Sequence, residues 1–292
     1  MTTATDAKSG KGHKDENFPV ASRLISPRHR GPILAFYRFV RAADDVSDHA
    51  TLSPDEKLRM LDGLEAALTG KGPTDPEAEP LRRALAERGL SPKHAQDLLD
   101  AFRLDARKTR YADWGELMGY CALSAMPVGR FVLDVHGEDR RTWAASDALC
   151  AALQVINHLQ DCAKDYRSLD RVYLTADTLA RHGARVEELS AASASPALLA
   201  VIRELNEGCA ALLRESAVFP SIIADRRLAM EVAVIQSLAE SLAGKLRTKD
   251  PLSERVHATK PEALLAAGTG VTKAILQRMT GRGIRAQAKL AP

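Results

Sequence analysis

The chain has 292 residues, 45% of them hydrophobic, which is enough for one large domain or two ordinary ones. Its 41 lysines and arginines nearly balance its 38 aspartates and glutamates, and the net charge of +3 gives no indication of nucleic-acid binding. The four cysteines stand singly, which excludes the CxxC spacing of a zinc site and a disulfide framework. We therefore expect reduced thiols in a cytoplasmic protein.

The N-terminal residues, MTTATDAKSGKGHKDE, are polar and lack the apolar stretch of a signal peptide. No later window approaches the roughly 18 apolar residues that a membrane span requires. We predict a disordered segment at residues 1–16, one all-helical domain at residues 17–268 and a basic tail at residues 269–292.

Helix signals follow one another along the chain, whereas alternating β-branched runs and Asn-Gly hairpin turns are missing. Ser53 and Glu56 have the spacing of a capping box, and Pro127 with Gly129 predicts a break in a long apolar helix. The stretch 70–80, rich in proline and glycine, is interpreted as a connection. The predicted helices cover 32–48, a segment from Ser53 to Gly70, a segment from Ser91 onward, and 114–136, 143–167, 175–182, 196–216, 221–246 and 261–278.

The first of these helices carries a polar stripe beside apolar positions. Tyr37, Arg41, Asp44 and Asp48 stand at i, i+4, i+7 and i+11, so they share one face, and Asp45 lies beside them. Carboxylates this close repel one another and are rarely buried without a partner. The stripe is therefore a candidate site rather than part of a core.

The helix predicted over 143–167 carries a second stripe. Gln154, Asn157, Asp161 and Asp165 stand at i, i+3, i+7 and i+11, and each ends in a carboxylate or a carboxamide. If the two stripes face each other, four or five carboxylates surround one volume, and cations are needed to stabilise them. Oxygen ligands without histidine or cysteine favour Mg²⁺, which shares its remaining positions with water and substrate phosphate.

Paired aspartate groups of this kind suggest a diphosphate that is held through Mg²⁺ and then leaves, which creates a carbocation. The competing interpretation is an acidic helix end in solvent, with Asp44 and Asp48 ending their helix before a loop. A lone aspartate motif favours that interpretation, whereas the second stripe argues against it.

The motifs together resemble the squalene/phytoene synthase family. FYRFVRAADDVSD is similar to the first aspartate-rich motif of the family and LQVINHLQDCAKDYRSLDRVYL to the second, while GYCALSAMPVG is similar to its broken helix. The resemblance covers residues 16–260 and implies an all-α fold: a single-domain class I isoprenoid synthase helical bundle around a central cavity. The opening ENFPVAS is most similar to the branch that makes hydroxysqualene in hopanoid biosynthesis.

The resemblance also implies roles for individual residues. The Mg²⁺ ligands and catalytic residues would be Asp44, Asp48, Asp161 and Asp165, with Asp45 as a further ligand. Gln154 and Asn157 would line the mouth of the cavity. Diphosphate would be contacted by Arg41 and Arg171, although a salt bridge to Asp44 or Asp45 is the alternative for Arg41. The cation or cavity would be faced by Phe18, Tyr37, Tyr120 and Tyr173, for which core packing is the alternative.

Some positions depart from the family pattern. His158 and Gln160 stand inside the second motif, and Asp170 precedes Arg171 where a small residue is common. The stretch TKDPLSERVH, at 248–257, lacks the tyrosine that some relatives place over the diphosphate, although it keeps Arg255. These departures put the closing contacts and the hydration of the ions in question.

The resemblance implies a carbon-oxygen lyase that converts presqualene diphosphate to hydroxysqualene with Mg²⁺, through loss of diphosphate and capture of the carbocation by water. It would be paired with a presqualene diphosphate synthase that supplies this isoprenyl diphosphate. A water beside the cation would be held by Ser124, or a departing diphosphate oxygen would act as the base. The alternatives are head-to-head condensation of two farnesyl or geranylgeranyl diphosphates to presqualene diphosphate, squalene or phytoene, and a non-catalytic helical partner of a sister synthase.

The C-terminal segment is basic, since no acidic residue follows Glu262 while lysines and arginines accumulate. One interpretation is peripheral contact with an anionic membrane, which suits an enzyme with membrane-soluble substrates. The other is a solvated tail. The localisation expected from the sequence is therefore cytoplasmic, with membrane association under the first interpretation.

Overall fold

The computed structural model describes residues 24–279, so Phe18, the segment 1–16 and the end of the basic tail lie outside the described residues. Within this range the chain forms helices and no strand, with one isolated bridge between Arg110 and Val172. The all-helical prediction is confirmed. The helices are α1 (Pro27–Ser47), α2 (Pro54–Leu68), α3 (Glu79–Arg88), α4 (Lys93–Asp105), α5 (Trp114–Ser124), α6 (Met126–His136), α7 (Trp143–Leu169), α8 (Ala176–His182), α9 (Pro196–Ser216), α10 (Phe219–Ile222), α11 (Arg226–Leu246) and α12 (Lys260–Met279).

Helix α1 begins at Pro27 rather than at residue 32, because a proline is tolerated in the first turn, where its missing N–H is not needed. Pro32 lies inside the helix and leaves the carbonyl of Arg28 without its helical donor. The guanidinium of Arg88, on α3, donates a hydrogen bond to that carbonyl. A side chain thus supplies the hydrogen bond that Pro32 cannot make.

Side-chain caps fix the starts of two other helices. The hydroxyl of Ser53 accepts a hydrogen bond from the Glu56 amide, and the Glu56 carboxylate accepts one from the Ser53 amide at 2.8 Å, which confirms the predicted capping box. Helix α11 begins at Arg226 and not at residue 221, because the Asp225 carboxylate caps its first turn and accepts two amide hydrogen bonds.

Helix α3 is missing from the sequence prediction, which has a connection over 70–80 and no helix directly after it. Pro80 lies in the first turn, where proline does not interrupt a hydrogen bond, and Leu81 and Leu85 are buried. The carboxylate of Asp75 accepts hydrogen bonds from the two amides that precede the helix. Residues 69–78 form the predicted connection between α2 and α3, and only its last two predicted residues, Glu79 and Pro80, belong to the helix.

The predicted break near Pro127 is confirmed, since α5 ends at Ser124 and α6 begins at Met126. Ala125 between them departs from helical geometry, with φ −127° and ψ −49°. The chain divides into two compact units: the described part of the first contains 24–108 and 127–137, and that of the second contains 109–126 and 138–279. The predicted boundaries at residues 17 and 268 stay predictions.

In the first unit, α1 packs against α2, α3 and α4. Phe39 and Phe131 are almost fully buried, and the ring of Phe131 stacks on that of Phe36 with centroids 4.0 Å apart. His94 and Asp134 form a hydrogen-bonded pair at 2.9 Å. This packing holds the polar stripe of α1 on a rigid helix, because the opposite face of that helix is core.

In the second unit, the long helix α7 packs against α5, α9 and α11, and α12 packs closely along α11. The α7 positions that face this core are small or aliphatic, such as Ala152, Ile156 and Leu159. Buried Asn206, on α9, donates a hydrogen bond to the carbonyl of Ala243 on α11. The polar stripe of α7 is thus carried by a helix that is anchored on its other side.

Candidate active site

The polar stripe of α1 is organised by Arg41. Its guanidinium lies 2.8 Å from Asp44 and 2.8 Å from Asp45, so one cation serves two carboxylates. Asp45 is buried, whereas Asp44, Asp48 and Tyr37 are partly exposed. The structure therefore shows the salt bridge that was the alternative interpretation for Arg41, and diphosphate contact by this residue stays a prediction.

The carboxylates of Asp44, Asp45 and Asp48 lie at the C-terminal end of α1, which is the negative end of the helix dipole. Asp48 is the C-cap of α1, where the partial charge of the backbone is already negative, and the last turn contains no basic residue. Lys57, on α2, donates a hydrogen bond to the carbonyl of Ser47 at 2.7 Å and supplies positive charge there. A helix end with three carboxylates favours the binding of a further cation.

The polar stripe of α7 is accessible along its length. Gln154, Asn157, Asp161 and Asp165 are partly exposed, although most residues between them are buried. Asp161 is 36% exposed, and its carboxylate lies 3.9 Å from the ammonium group of exposed Lys164. A surface ion pair at this distance contributes little to stability, so the Asp161 carboxylate is not held by a strong structural pairing.

Gln160 connects the second motif to the segment that follows α11. Its side-chain amide donates a hydrogen bond to the carbonyl of Val256, and Val256 itself is buried. Beside it, burial lowers the pKa of His257, Arg255 lowers it further, and Asp161 opposes both. Gln160 thus has a structural role, and it brings the stretch 248–257 beside the carboxylates of α7.

Next to Gln154 lies an aromatic cluster that consists of His158, Tyr111, Tyr120 and Tyr173. The ring of His158 stacks on that of Tyr173 with centroids 3.4 Å apart, and the hydroxyl groups of Tyr120 and Tyr173 lie 3.5 Å apart. The ring of Tyr111 completes the cluster, 5.3 Å from that of Tyr120. Tyr120 and Tyr173 are therefore buried in aromatic packing, which was the alternative interpretation for both.

His158 is neutral in this cluster. Burial lowers its pKa to about 3, and the positive charge of Arg171 contributes to the shift. The Nε2 atom of His158 lies 3.2 Å from the amide nitrogen of Gln154. Because an amide nitrogen only donates, Nε2 is the acceptor and Nδ1 carries the proton. His158 therefore orients Gln154 within the polar stripe.

The end of α7 brings Arg171 close to Asp165. Asp170 has a left-handed conformation, with φ 51°, and ends the helix, while the Arg171 amide donates to the carbonyl of Asp165. The Asp170 carboxylate pairs with Arg110 at 2.6 Å. Arg171 is buried, and its contact with diphosphate stays a prediction.

The donor set of each stripe fits Mg²⁺, since the α1 stripe offers carboxylate oxygens and the α7 stripe offers carboxylate and carboxamide oxygens. The first unit brings Tyr37, Arg41, Asp44, Asp45 and Asp48 onto one helix. The second brings Gln154, Asn157, Asp161 and Asp165 together along α7, and Arg171 lies just beyond the end of that helix. Tyr111 was missed by the sequence analysis, because nothing in its local sequence distinguishes it from an ordinary loop tyrosine.

Comparison with known proteins shows the family of the chain. Residues 11–262 match the squalene/phytoene synthase family. The chain is 56% identical to hydroxysqualene synthase of Rhodopseudomonas palustris, over 97% of each chain, and 53% identical to that of Sinorhizobium fredii, over 98% of each. Its fold is similar to that of a squalene synthase from Alicyclobacillus acidocaldarius, with a TM-score of 0.64 and 27% identity over 90% of this chain and 88% of that one. The chain belongs to the squalene/phytoene synthase family and has the helical isoprenoid synthase fold.

Proposed function

We propose that the protein converts presqualene diphosphate to hydroxysqualene. The carbon–oxygen bond to diphosphate breaks, the resulting carbocation rearranges, water adds to it and one proton is released. The observation that carries the proposal is the high identity, over nearly the whole chain, to relatives named hydroxysqualene synthase. Both aspartate groups are present, which argues against a non-catalytic partner.

The carboxylates of α1 and α7 would hold Mg²⁺ together with the diphosphate. When bound, Mg²⁺ neutralises charge on the diphosphate and makes it a better leaving group. Asp161 and Asp165 present accessible oxygens, and Asn157 adds a neutral one. Buried Arg171 and the guanidinium of Arg41 donate hydrogen bonds to phosphate oxygens, a task for which their planar forks are suited.

Capture by water requires a polar group at the edge of an otherwise apolar pocket, and we assign this role to Ser124. The Ser124 hydroxyl oxygen is buried and has no hydrogen-bond partner in the described part of the chain. It lies immediately before the break at Ala125. A buried hydroxyl without a protein partner is usually satisfied by water.

Substitution of Ser124 by alanine is expected to change the product more than the rate. The Ser124→Ala variant should consume presqualene diphosphate at nearly the wild-type rate but release a larger fraction of alkene, formed when the cation loses a proton instead of gaining water. Product ratios by gas chromatography and mass spectrometry measure this. Unchanged hydroxysqualene as the sole product would remove Ser124 from the mechanism and leave the departing diphosphate as the base.

The proposed reaction is tested by product analysis of the purified protein with Mg²⁺ and without NADPH. We expect hydroxysqualene from presqualene diphosphate and no consumption of farnesyl diphosphate in a parallel sample. Consumption of farnesyl or geranylgeranyl diphosphate would assign the protein to head-to-head condensation instead. Inactivity toward all three substrates would support the role of a helical partner for a sister synthase.

A further inference from the structure

Helix α12 has one face that packs and one that does not. Ala266, Gly270 and Ala274 are buried at i, i+4 and i+8 and form the face that contacts α11. The contact is close, because a Cβ atom added at Gly270 would clash with the carbonyl oxygen of Ala233. Packing against α11 therefore fixes the orientation of α12.

The opposite face is apolar and exposed. Leu264 and Leu265 are 75% and 69% exposed, and Ile275 and Leu276 are 49% and 56% exposed. The two pairs are eleven residues apart, which is three helical turns, so they lie on the same face. Among the described residues only two other large hydrophobic side chains, Leu24 and Val128, are exposed.

Among the exposed residues between the two pairs Lys273 is charged, whereas Thr269 and Thr272 add little polarity. The hydroxyl of Thr272 donates to the carbonyl of Gly268 at 2.8 Å, and that of Thr269 donates to the carbonyl of Leu265 at 3.0 Å. Their hydrogen-bonding capacity is thus directed into the helix backbone. A continuous apolar face of this kind marks an interaction surface, whereas scattered exposed leucines would need no explanation.

The charge of this segment is of one sign. Glu262 is the last acidic residue of the chain, and five basic residues follow it: Lys273, Arg278, Arg282, Arg285 and Lys289. Lys273 lies 3.5 Å from Glu240 in an exposed ion pair, which solvent screening makes weak. An apolar helix face that is followed in the sequence by basic residues is complementary to an anionic lipid surface.

We propose that α12 lies in the surface of an anionic bilayer. Leu264, Leu265, Ile275 and Leu276 enter the boundary between headgroups and acyl chains, and the positive charge that the sequence carries from Lys273 onward attracts the segment to lipid phosphates. In the described part of the chain, no helix is both long and apolar enough to cross a membrane. A second copy of the chain is a poorer occupant, because it would bring two basic segments together. The binding does not require the proposed reaction.

Vesicle co-sedimentation without substrate tests the proposal on the full chain. Wild type should bind vesicles that contain phosphatidylglycerol, bind phosphatidylcholine vesicles weakly, and release at high salt. The double variant Leu264→Ser/Leu265→Ser should lose about tenfold or more in affinity for the anionic vesicles. Val128→Ser removes one exposed apolar side chain outside α12 and should bind as wild type does. Circular dichroism confirms that the variants fold.

The Leu265→Trp variant distinguishes insertion into the bilayer from electrostatic attraction to its surface. The fluorescence emission of the introduced tryptophan should shift to shorter wavelength when anionic vesicles are added. Unchanged binding by the serine variant, or no shift, would overturn the proposal. Analytical ultracentrifugation tests whether a second copy of the chain covers this face instead. If the wild type is a dimer and the serine variant is a monomer, the face is a dimer interface and the membrane role is overturned.

Discussion

Replacement of Asp161 by asparagine is expected to reduce kcat/KM by about a hundredfold or more and to raise the Mg²⁺ concentration required for turnover. The substitution keeps the shape and polarity of the side chain but removes its charge. Steady-state kinetics across a Mg²⁺ titration measure both effects. Full turnover at low Mg²⁺ would contradict the proposed role of this carboxylate.

Asp161 is the most informative carboxylate for this test because it contributes little to the fold. Its only close cation in the described part of the chain is Lys164 at 3.9 Å, on an exposed surface. Stability of Asp161→Asn should therefore stay near that of the wild type. Asp45 would be a poor choice, since it is buried against Arg41 and its loss would mix unfolding with catalysis.

A matched control is available at the end of the same helix. Asp170→Asn makes the same chemical change at an exposed position, and asparagine tolerates the left-handed conformation there. We expect this variant to retain wild-type kinetics.

The Asp48→Asn/Asp161→Asn double variant tests whether the two stripes act on one diphosphate. If they do, the fold-loss in kcat/KM of the double variant is smaller than the product of the fold-losses of the two single variants.

Much of the fold follows from local sequence signals. The capping box at Ser53 and the break before Pro127 depend on residues within one or two turns, so their positions could be predicted. Helix α3 could not, because its proline and acidic start is typical of a loop and only Leu81 and Leu85 mark a buried face. The early start of α1 depends on Arg88, which is distant in sequence from the carbonyl it satisfies.

The candidate site likewise has some features that local sequence predicts and others that it does not. The alignment of Asn157, Asp161 and Asp165 follows from helical periodicity alone, and the structure places them on one face as predicted. The contact of Gln160 with Val256 joins residues 96 positions apart and has no local signal. The stacking of His158 on Tyr173 likewise depends on how the chain turns after α7. Long-range contacts of this kind decide whether a polar residue is structural or functional.

His158 is expected to make the stability of the protein depend on pH in a window where most other groups do not titrate. Burial holds its pKa near 3, whereas in the unfolded chain the pKa is 6.5. Between these values the unfolded chain binds a proton that the folded chain does not. The stabilisation from keeping His158 neutral is therefore complete above pH 6.5 and is lost as the pH falls toward 3.

From pH 7 to pH 5 this one group should lower the free energy of unfolding by about 2 kcal/mol. Urea unfolding at the two pH values measures the loss in the wild type. The His158→Gln variant can still accept the hydrogen bond from Gln154 but cannot titrate, so its loss over the same interval should be smaller by about that amount. It is also less stable at pH 7, because it no longer stacks on Tyr173.

The change in the free energy of unfolding with pH, rather than its absolute value, isolates the effect of His158 titration. Carboxylates with lowered pKa values, such as Glu79 and Asp177 at about 2, also destabilise the fold in acid, but their window lies mainly below pH 5 and is shared by both proteins. Equal slopes in wild type and variant would mean that His158 ionises normally in the folded chain. His158 could not then serve as the neutral acceptor that orients Gln154, and the polar stripe of α7 would need a different support.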